Sequence, residues 1–286
     1  MHKEHHGFLF GLLAALSSTL GALLIKWNAG VPNETMVFAR FSVSLLCMLP
    51  VLLRGRVQIR ARLFGRHLIR GLAGLGSIYC YFYSVEHLPL VNAMTISNTY
   101  VLCIPVVVFF WMHVTIPLWR MLGIALGFIG VLLILRPSEG FSEWASVVGL
   151  LGGIFSAIAL VGVRQLSKTE KTEEILIYYF LVSTVISSVP MVLAWEPIET
   201  PFVWVSLGLI GLFSLGFQYC ITKSLTHAPA TKVSTISYSN VLLSGLLGWW
   251  VFGELPTFWL LGGAACIIAG GLISLFSKGE SRHWKK

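Results

Sequence analysis

Apolar residues run through this chain in long blocks separated by short polar ones, without the two-residue alternation of a half-buried strand. Ten blocks can be marked, at 7–27, 34–53, 67–86, 91–112, 119–136, 145–164, 174–195, 203–223, 230–252 and 257–276. A helix that crosses a bilayer needs about 20 mostly apolar residues, whereas a barrel strand needs about 10 of alternating character. The blocks therefore predict an all-α integral membrane protein with ten transmembrane helices. The first block is too long for the apolar region of a secretory signal. It runs into Lys26-Trp27-Asn28 without a small-residue cleavage pattern, so it reads as an uncleaved first helix.

The polar connections carry a second pattern. With the N-terminus in the cytoplasm, 17 of the 20 Lys and Arg residues fall on inner loops and tails; the exceptions are Lys26, Arg40 and Arg136. That excess is the positive-inside rule, and with an even number of spans it predicts both termini on the cytoplasmic side. The sequence pI of about 9.4 then follows from inner loops and calls for no nucleic-acid partner. Composition agrees: 56% of residues are hydrophobic and only 11% charged, against about 25% charged in a soluble domain. The five cysteines lie inside apolar blocks with no C-x-x-C spacing, which reads as packing rather than metal ligation or a disulfide framework. No metal or other cofactor is expected.

Sliding the chain by about 140 residues superimposes polar and glycine positions as well as apolar ones. SVEHLPLVNAMTIS at 84–97 meets SLTHAPATKVSTIS at 224–237. Gly71, Gly76, Tyr79, Cys80, Trp119 and Gly130 meet Gly211, Gly216, Tyr219, Cys220, Trp259 and Gly270. Each copy holds five blocks, an odd number, so the second copy enters the membrane upside down. The predicted organisation is two inverted five-helix repeats, 1–140 and 141–286, the arrangement by which many secondary transporters build a midplane site.

Several short motifs accompany the repeat: Arg40-Phe41 in the second block, Arg70-Gly71 opening the third, and Gly253-Glu254 closing the ninth. Glycines at 123, 127 and 130 and at 262, 263, 270 and 271 mark the fifth and tenth. Over its whole length the chain resembles the EamA type of the drug/metabolite transporter superfamily. It departs from that pattern where the fourth helix ends in His113-Val114 instead of Gly-Glu. The resemblance implies a carrier in a bacterial inner membrane that moves a small metabolite by alternating access, by exchange or facilitated diffusion. Amino-acid-like, aromatic and S-adenosylmethionine-like solutes, or organic cations, fall within its range. It also implies that the first, third, fourth, sixth, eighth and ninth helices line a central cavity.

Polar side chains inside a span face a cavity or another helix far more often than lipid. On that basis the candidate substrate site is walled by Tyr79, Tyr83, Asn98, Tyr219 and Tyr238, with Ser97, Gln218 and Asn240 nearby. Rings supply apolar area and attract cations, and amides fix orientation. The competing reading is helix-to-helix hydrogen bonding, worth about 0.6 kcal/mol each. Arg40 and Glu86 read as a gate-region or helix-positioning pair. For Arg40 alone, the alternatives are a substrate carboxylate or an arginine snorkelling to the interface. The carboxylates are all glutamates and none lies in a central segment. That argues against a membrane enzyme such as a lipid transferase, which would want clustered acids or a nucleophile with its base. A non-transporting scaffold would leave the intramembrane tyrosines and amides without a use. The expected partners are a small-molecule substrate and membrane lipid, with the chain a monomer or a homodimer.

Overall fold

A computed structural model describes residues 2–54, 63–112, 118–135, 143–198, 200–227, 239–254 and 257–276. Among these the chain forms eleven α-helices and no strand. In order they are α1 (His2–Trp27), α2 (Asn33–Leu53), α3 (Phe64–His87), α4 (Leu90–Ser97), α5 (Tyr100–Met112) and α6 (Leu118–Leu135). There follow α7 (Glu143–Leu166), α8 (Thr172–Leu193), α9 (Pro201–His227), α10 (Ser239–Phe252) and α11 (Phe258–Phe276).

Proline sets three of the starts. Pro32 and Pro89 immediately precede α2 and α4, and Pro201 is the first residue of α9. At those positions its missing N–H costs nothing and its fixed φ is already helical. The α8 start is capped differently: the Glu174 carboxylate accepts from the Lys171 backbone N–H at 3.0 Å, satisfying a donor that the helix leaves open.

Six segments are long and apolar enough to cross a membrane: Leu9–Trp27, Asn33–Leu53, Leu90–Trp111, Trp144–Leu166, Thr172–Leu193 and Pro201–His227. Shorter apolar helices cover Met121–Gly130, Asn240–Phe252 and Phe258–Ile273. Of the ten predicted blocks, the third is the instructive exception. The α3 helix is long enough, but it carries Arg66, His67, Arg70, Ser77, Ser84 and Glu86. His67, Arg70, Ser77 and Ser84 are buried among other helices, so the polar side of α3 meets protein. Large apolar residues are exposed on α3 at Phe64, Ile69 and Leu72 and on the outer faces of α2, α8, α9 and α10, and Trp27, Trp144, Trp195, Trp204 and Trp250 are exposed near helix ends. Such aromatic belts sit at a membrane interface.

The packing has a reciprocal order. The α1 helix packs along α9, and α7 packs along α3; α2 lies on α9, and α8 on α3; α1 meets α10, and α7 meets α5. The α6–α11 pair packs more extensively than any other. There a Cβ on Gly130 would stand 2.5 Å from the Gly263 carbonyl oxygen, and one on Gly270 would stand 2.4 Å from that of Gly123. Close approach of this kind lets dispersion between backbones hold two helices together in lipid.

The fourth predicted block is interrupted. Between α4 and α5 the ladder tightens: Thr99 N–H reaches Ile96 O at 3.0 Å, Val101 N–H reaches Asn98 O at 3.1 Å and Leu102 N–H reaches Thr99 O at 2.9 Å. These three-residue steps are 3₁₀ geometry. Asn98 Nδ2 donates to Met94 O at 2.9 Å and the Thr99 hydroxyl to Ile96 O at 2.7 Å, so side chains satisfy carbonyls that the tightening disturbs. Pro105 lies one turn further on, inside α5.

Candidate functional site

A central recess with about 750 Å³ of atom-free space, part of it open to solvent, is enclosed by α1, α2, α3, α4, α5, α7, α9 and α10. Its apolar wall comes from Ile25, Ile78, Tyr81, Met94, Phe213 and Phe217. The α3 contribution, Ser77, Ile78 and Tyr81, follows helical spacing. Ser77 shares a hydrogen bond with Ser156 of α7 at 2.5 Å between hydroxyl oxygens, and Tyr81 donates to Met94 Sδ at 3.5 Å. The tightened turn after α4 delivers Ser97 and Asn98 to the same space.

Four side-chain atoms on this wall are buried without a hydrogen-bond partner: Arg40 Nε, Ser97 Oγ, Ser214 Oγ and Asn240 Oδ1. They come from four different helices or helix ends. A buried polar group left unpaired costs about 1–3 kcal/mol, more for a charge, so four converging on one recess mark it as a place that holds something polar. Arg40 is the most costly. It is only 6% exposed, and its guanidinium carbon lies 5.9 Å from the Phe41 ring centroid and 5.8 Å from that of Phe82.

Next to the recess lies an ion pair. One residue beyond Ile25, Lys26 Nζ pairs with Glu254 Oε1 and donates to Leu88 O at 2.9 Å. The second Glu254 oxygen accepts from the Leu90 N–H at 2.7 Å. One carboxylate thus ties α1 and the α3–α4 turn to the end of α10. Gly253 makes this possible: its φ of +68° is a left-handed turn that a residue with a Cβ adopts only at a cost. Alongside, Asn33 Nδ2 donates to Glu86 Oε2.

On the opposite side Arg70, 2% exposed, lies 3.4 Å over the Tyr179 ring centroid and donates to Gln218 Oε1 at 3.0 Å. Further out, His67 Nε2 meets Glu170 Oε2 at 2.6 Å and stacks on Tyr178 with centroids 4.1 Å apart.

Of the residues predicted for the site, Ser97, Asn98, Asn240 and Arg40 line the recess. Tyr79, Tyr83, Gln218, Tyr219 and Glu86 do not. Tyr79 packs into the main apolar core, and Tyr83 stacks on His87 with centroids 4.2 Å apart. Gln218 serves Arg70, Tyr219 lies beneath Lys223 Nζ at 5.5 Å, and Glu86 is taken by Asn33. Arg40 therefore neither pairs with Glu86 nor reaches toward an interface. Tyr238 lies outside the described residues. On a helix Tyr79 and Tyr83 share a face and Tyr81 points away from it; of the three, Tyr81 lines the recess. The Ser17-Ser18 pair on α1 and Gly152 with Ser156 on α7 also line the recess. The signal for them was Ser18 meeting Ser156 across the repeat.

The comparisons agree with this architecture. A crystal structure of another protein superimposes with a TM-score of 0.68 at 20% identity, covering 94% of this chain and 96% of the other. The pseudopaline exporter CntI of Pseudomonas aeruginosa is 29% identical over 283 residues, covering 96% of this chain and 97% of its own. The riboflavin transporter of Vibrio cholerae is 25% identical, covering 99% and 98%. The S-adenosylmethionine uptake transporter of Rickettsia bellii is 23% identical, covering 96% and 94%. The EamA-like transporter family matches twice in tandem, at residues 5–136 and 143–276. This chain is a membrane protein and belongs to the EamA-like transporter family.

Proposed function

We propose that this protein is a secondary transporter whose central recess binds a small metabolite and exposes it to the two sides of the membrane in turn. The observation that carries the reading is the convergence of four unpartnered buried polar atoms on one recess among membrane-length helices. A recess drawn from both halves of the chain is what alternating access needs, because rocking one half against the other changes which end is open.

Ten spans in two inverted five-helix repeats suit this mechanism. The tandem family match and the reciprocal packing support them: α1 on α9 is answered by α7 on α3, and α6–α11 is its own counterpart. The basic inner loops support cytoplasmic termini and an inner-membrane location. The Glu254 end then faces outward. The ion pair there closes the outer side, and the tightened turn between α4 and α5 is the flexible joint beside the substrate. Named relatives that handle pseudopaline, riboflavin and S-adenosylmethionine support a solute of metabolite size.

The test is transport by purified protein in liposomes. Preloaded vesicles are offered a labelled metabolite panel that includes riboflavin and S-adenosylmethionine. The expected result is saturable counterflow of at least one compound. A panel that yields neither counterflow nor accumulation would contradict the transport reading. Imposing a pH gradient on the same vesicles separates proton-driven uptake from exchange.

A further inference from the structure

Arg40 is a charged group held at membrane depth with no counter-charge. It lines the recess and is 6% exposed, and its Nε has no hydrogen-bond partner. Among the described residues no carboxylate lies within ion-pair distance of it, and the recess has no acidic lining residue. The Phe41 and Phe82 rings hold the guanidinium without using any of its N–H donors. Arg70 differs in place and contacts: its Nε and Nη1 are also buried without a partner, but it donates through Nη2 to Gln218, lies over the Tyr179 ring and lines no part of the recess. A buried ion without a partner is strongly unfavourable, and a guanidinium fork fits a planar carboxylate through two parallel hydrogen bonds.

Asn240 contributes the opposite need. Its Oδ1 is buried on the same wall and accepts nothing from the protein. The remaining wall is apolar and aromatic, with Tyr81, Phe213 and Phe217 in it. We propose that the recess takes a monoanionic carboxylate borne on an apolar or aromatic body. Arg40 grips the carboxylate, and Asn240 Oδ1 accepts from an N–H or O–H of the same solute. One guanidinium neutralises one negative charge. A phosphate monoester would leave a surplus, and an organic cation would meet Arg40 with no carboxylate to offset the repulsion. The inference rests on the recess being the transport site.

The experiment measures thermal unfolding of the purified full chain with phenylacetate, phenylacetamide, phenyl phosphate and phenylalanine, each up to tens of millimolar. Phenylacetate is expected to raise the midpoint by several degrees and phenylalanine by less, because its ammonium group brings a cation that no carboxylate of the recess offsets. Phenyl phosphate should do less and phenylacetamide nothing. Without ligand, Arg40→Met should unfold at or above the wild-type temperature, because an uncompensated charge has been removed, and no probe should shift it. Arg40→Lys keeps the charge without the fork and should need roughly tenfold more phenylacetate for the same shift.

Four outcomes would overturn the proposal. In the first, Arg40→Met unfolds several degrees below the wild type, which makes Arg40 architectural. Phenylacetamide could protect as well as phenylacetate; Arg40→Met could keep the carboxylate shift; or no carboxylate could shift the wild type at all. Liposome transport separates this from the broader reading. A neutral solute carried equally by wild type and Arg40→Met removes the carboxylate and leaves the transporter, while absence of all transport removes the transporter itself.

Discussion

Lys26 and Arg40 are two cations carried by neighbouring helices, and the protein treats them in opposite ways. At the Glu254 end, Lys26 meets a carboxylate and a backbone carbonyl, and the second oxygen of that carboxylate is used by Leu90 N–H. In the recess, the described residues offer Arg40 the Phe41 and Phe82 rings and no carboxylate. The first arrangement is closed on itself and needs no ligand to be stable. The second is electrostatically incomplete. The proposed transport reading accounts for the difference: charges paired where helices are latched, and unpaired where a solute would complete the pair.

The largest effect that sharpens this contrast is expected at Glu254. Glu254→Leu strips Lys26 of its counter-charge and Leu90 of its acceptor. The pair keeps some solvent access, with both side chains 17% exposed, so the cost should be about 2–3 kcal/mol, below that of a fully buried pair. It should also raise labelling of Ser97→Cys by a membrane-impermeant maleimide added outside. Combining it with Lys26→Met should recover much of the stability but not the closed outer side. If the single and double variants unfold at the same temperature, the latch is not electrostatic.

Next in size is Gly253→Ala. A left-handed φ costs a residue with a Cβ about 1–2 kcal/mol, and relaxing it turns Glu254 away from Lys26. The same labelling should rise, less than in Glu254→Leu, while the protein remains folded. The recess side of the contrast is probed by Tyr81→Ala, which removes a lining ring and is expected to raise the transport KM about tenfold, roughly 1.4 kcal/mol. Tyr79→Ala is its comparison: it should lower the unfolding temperature and leave KM unchanged. Equal effects on KM would return Tyr79 to the site. The smallest effect belongs to Glu86→Gln, which still accepts from Asn33 and should move stability by less than about 0.5 kcal/mol. A loss of transport there would restore a gating role for Glu86.

Helices were legible because a span needs length and apolarity, and both are properties of a local window. The α3 helix was legible too, because its block at 67–86 is apolar enough to mark despite its polar residues. The interruption at Asn98 was not visible. It depends on side-chain bonds from Asn98 and Thr99 back to Met94 and Ile96, and an unbroken apolar window carries no mark of them. In the candidate site, Ser97, Asn98 and Asn240 were found because polar residues within spans are few. Tyr79, Tyr83, Gln218 and Tyr219 were assigned to the recess on composition; Gln218 is taken by Arg70 of another helix, Tyr83 and Tyr219 meet His87 and Lys223 one turn on in their own helices, and Tyr79 packs against the apolar core. Intramembrane polarity says that a partner exists without saying whether it is a solute, a ring or an arginine.

By itself, then, the amino-acid order determined the solvent, the helical class and the family, since each follows from hydropathy, charge placement or short motifs along the chain. Only the tertiary structure decided which face of each helix looks inward. It alone separated the cation that Glu254 neutralises from the one that no carboxylate among the described residues reaches. The reason is geometric: adjacent positions on a helix differ by about 100°, so the choice between Tyr79 and Tyr81, or between a latch and a binding group, is made by what packs against them.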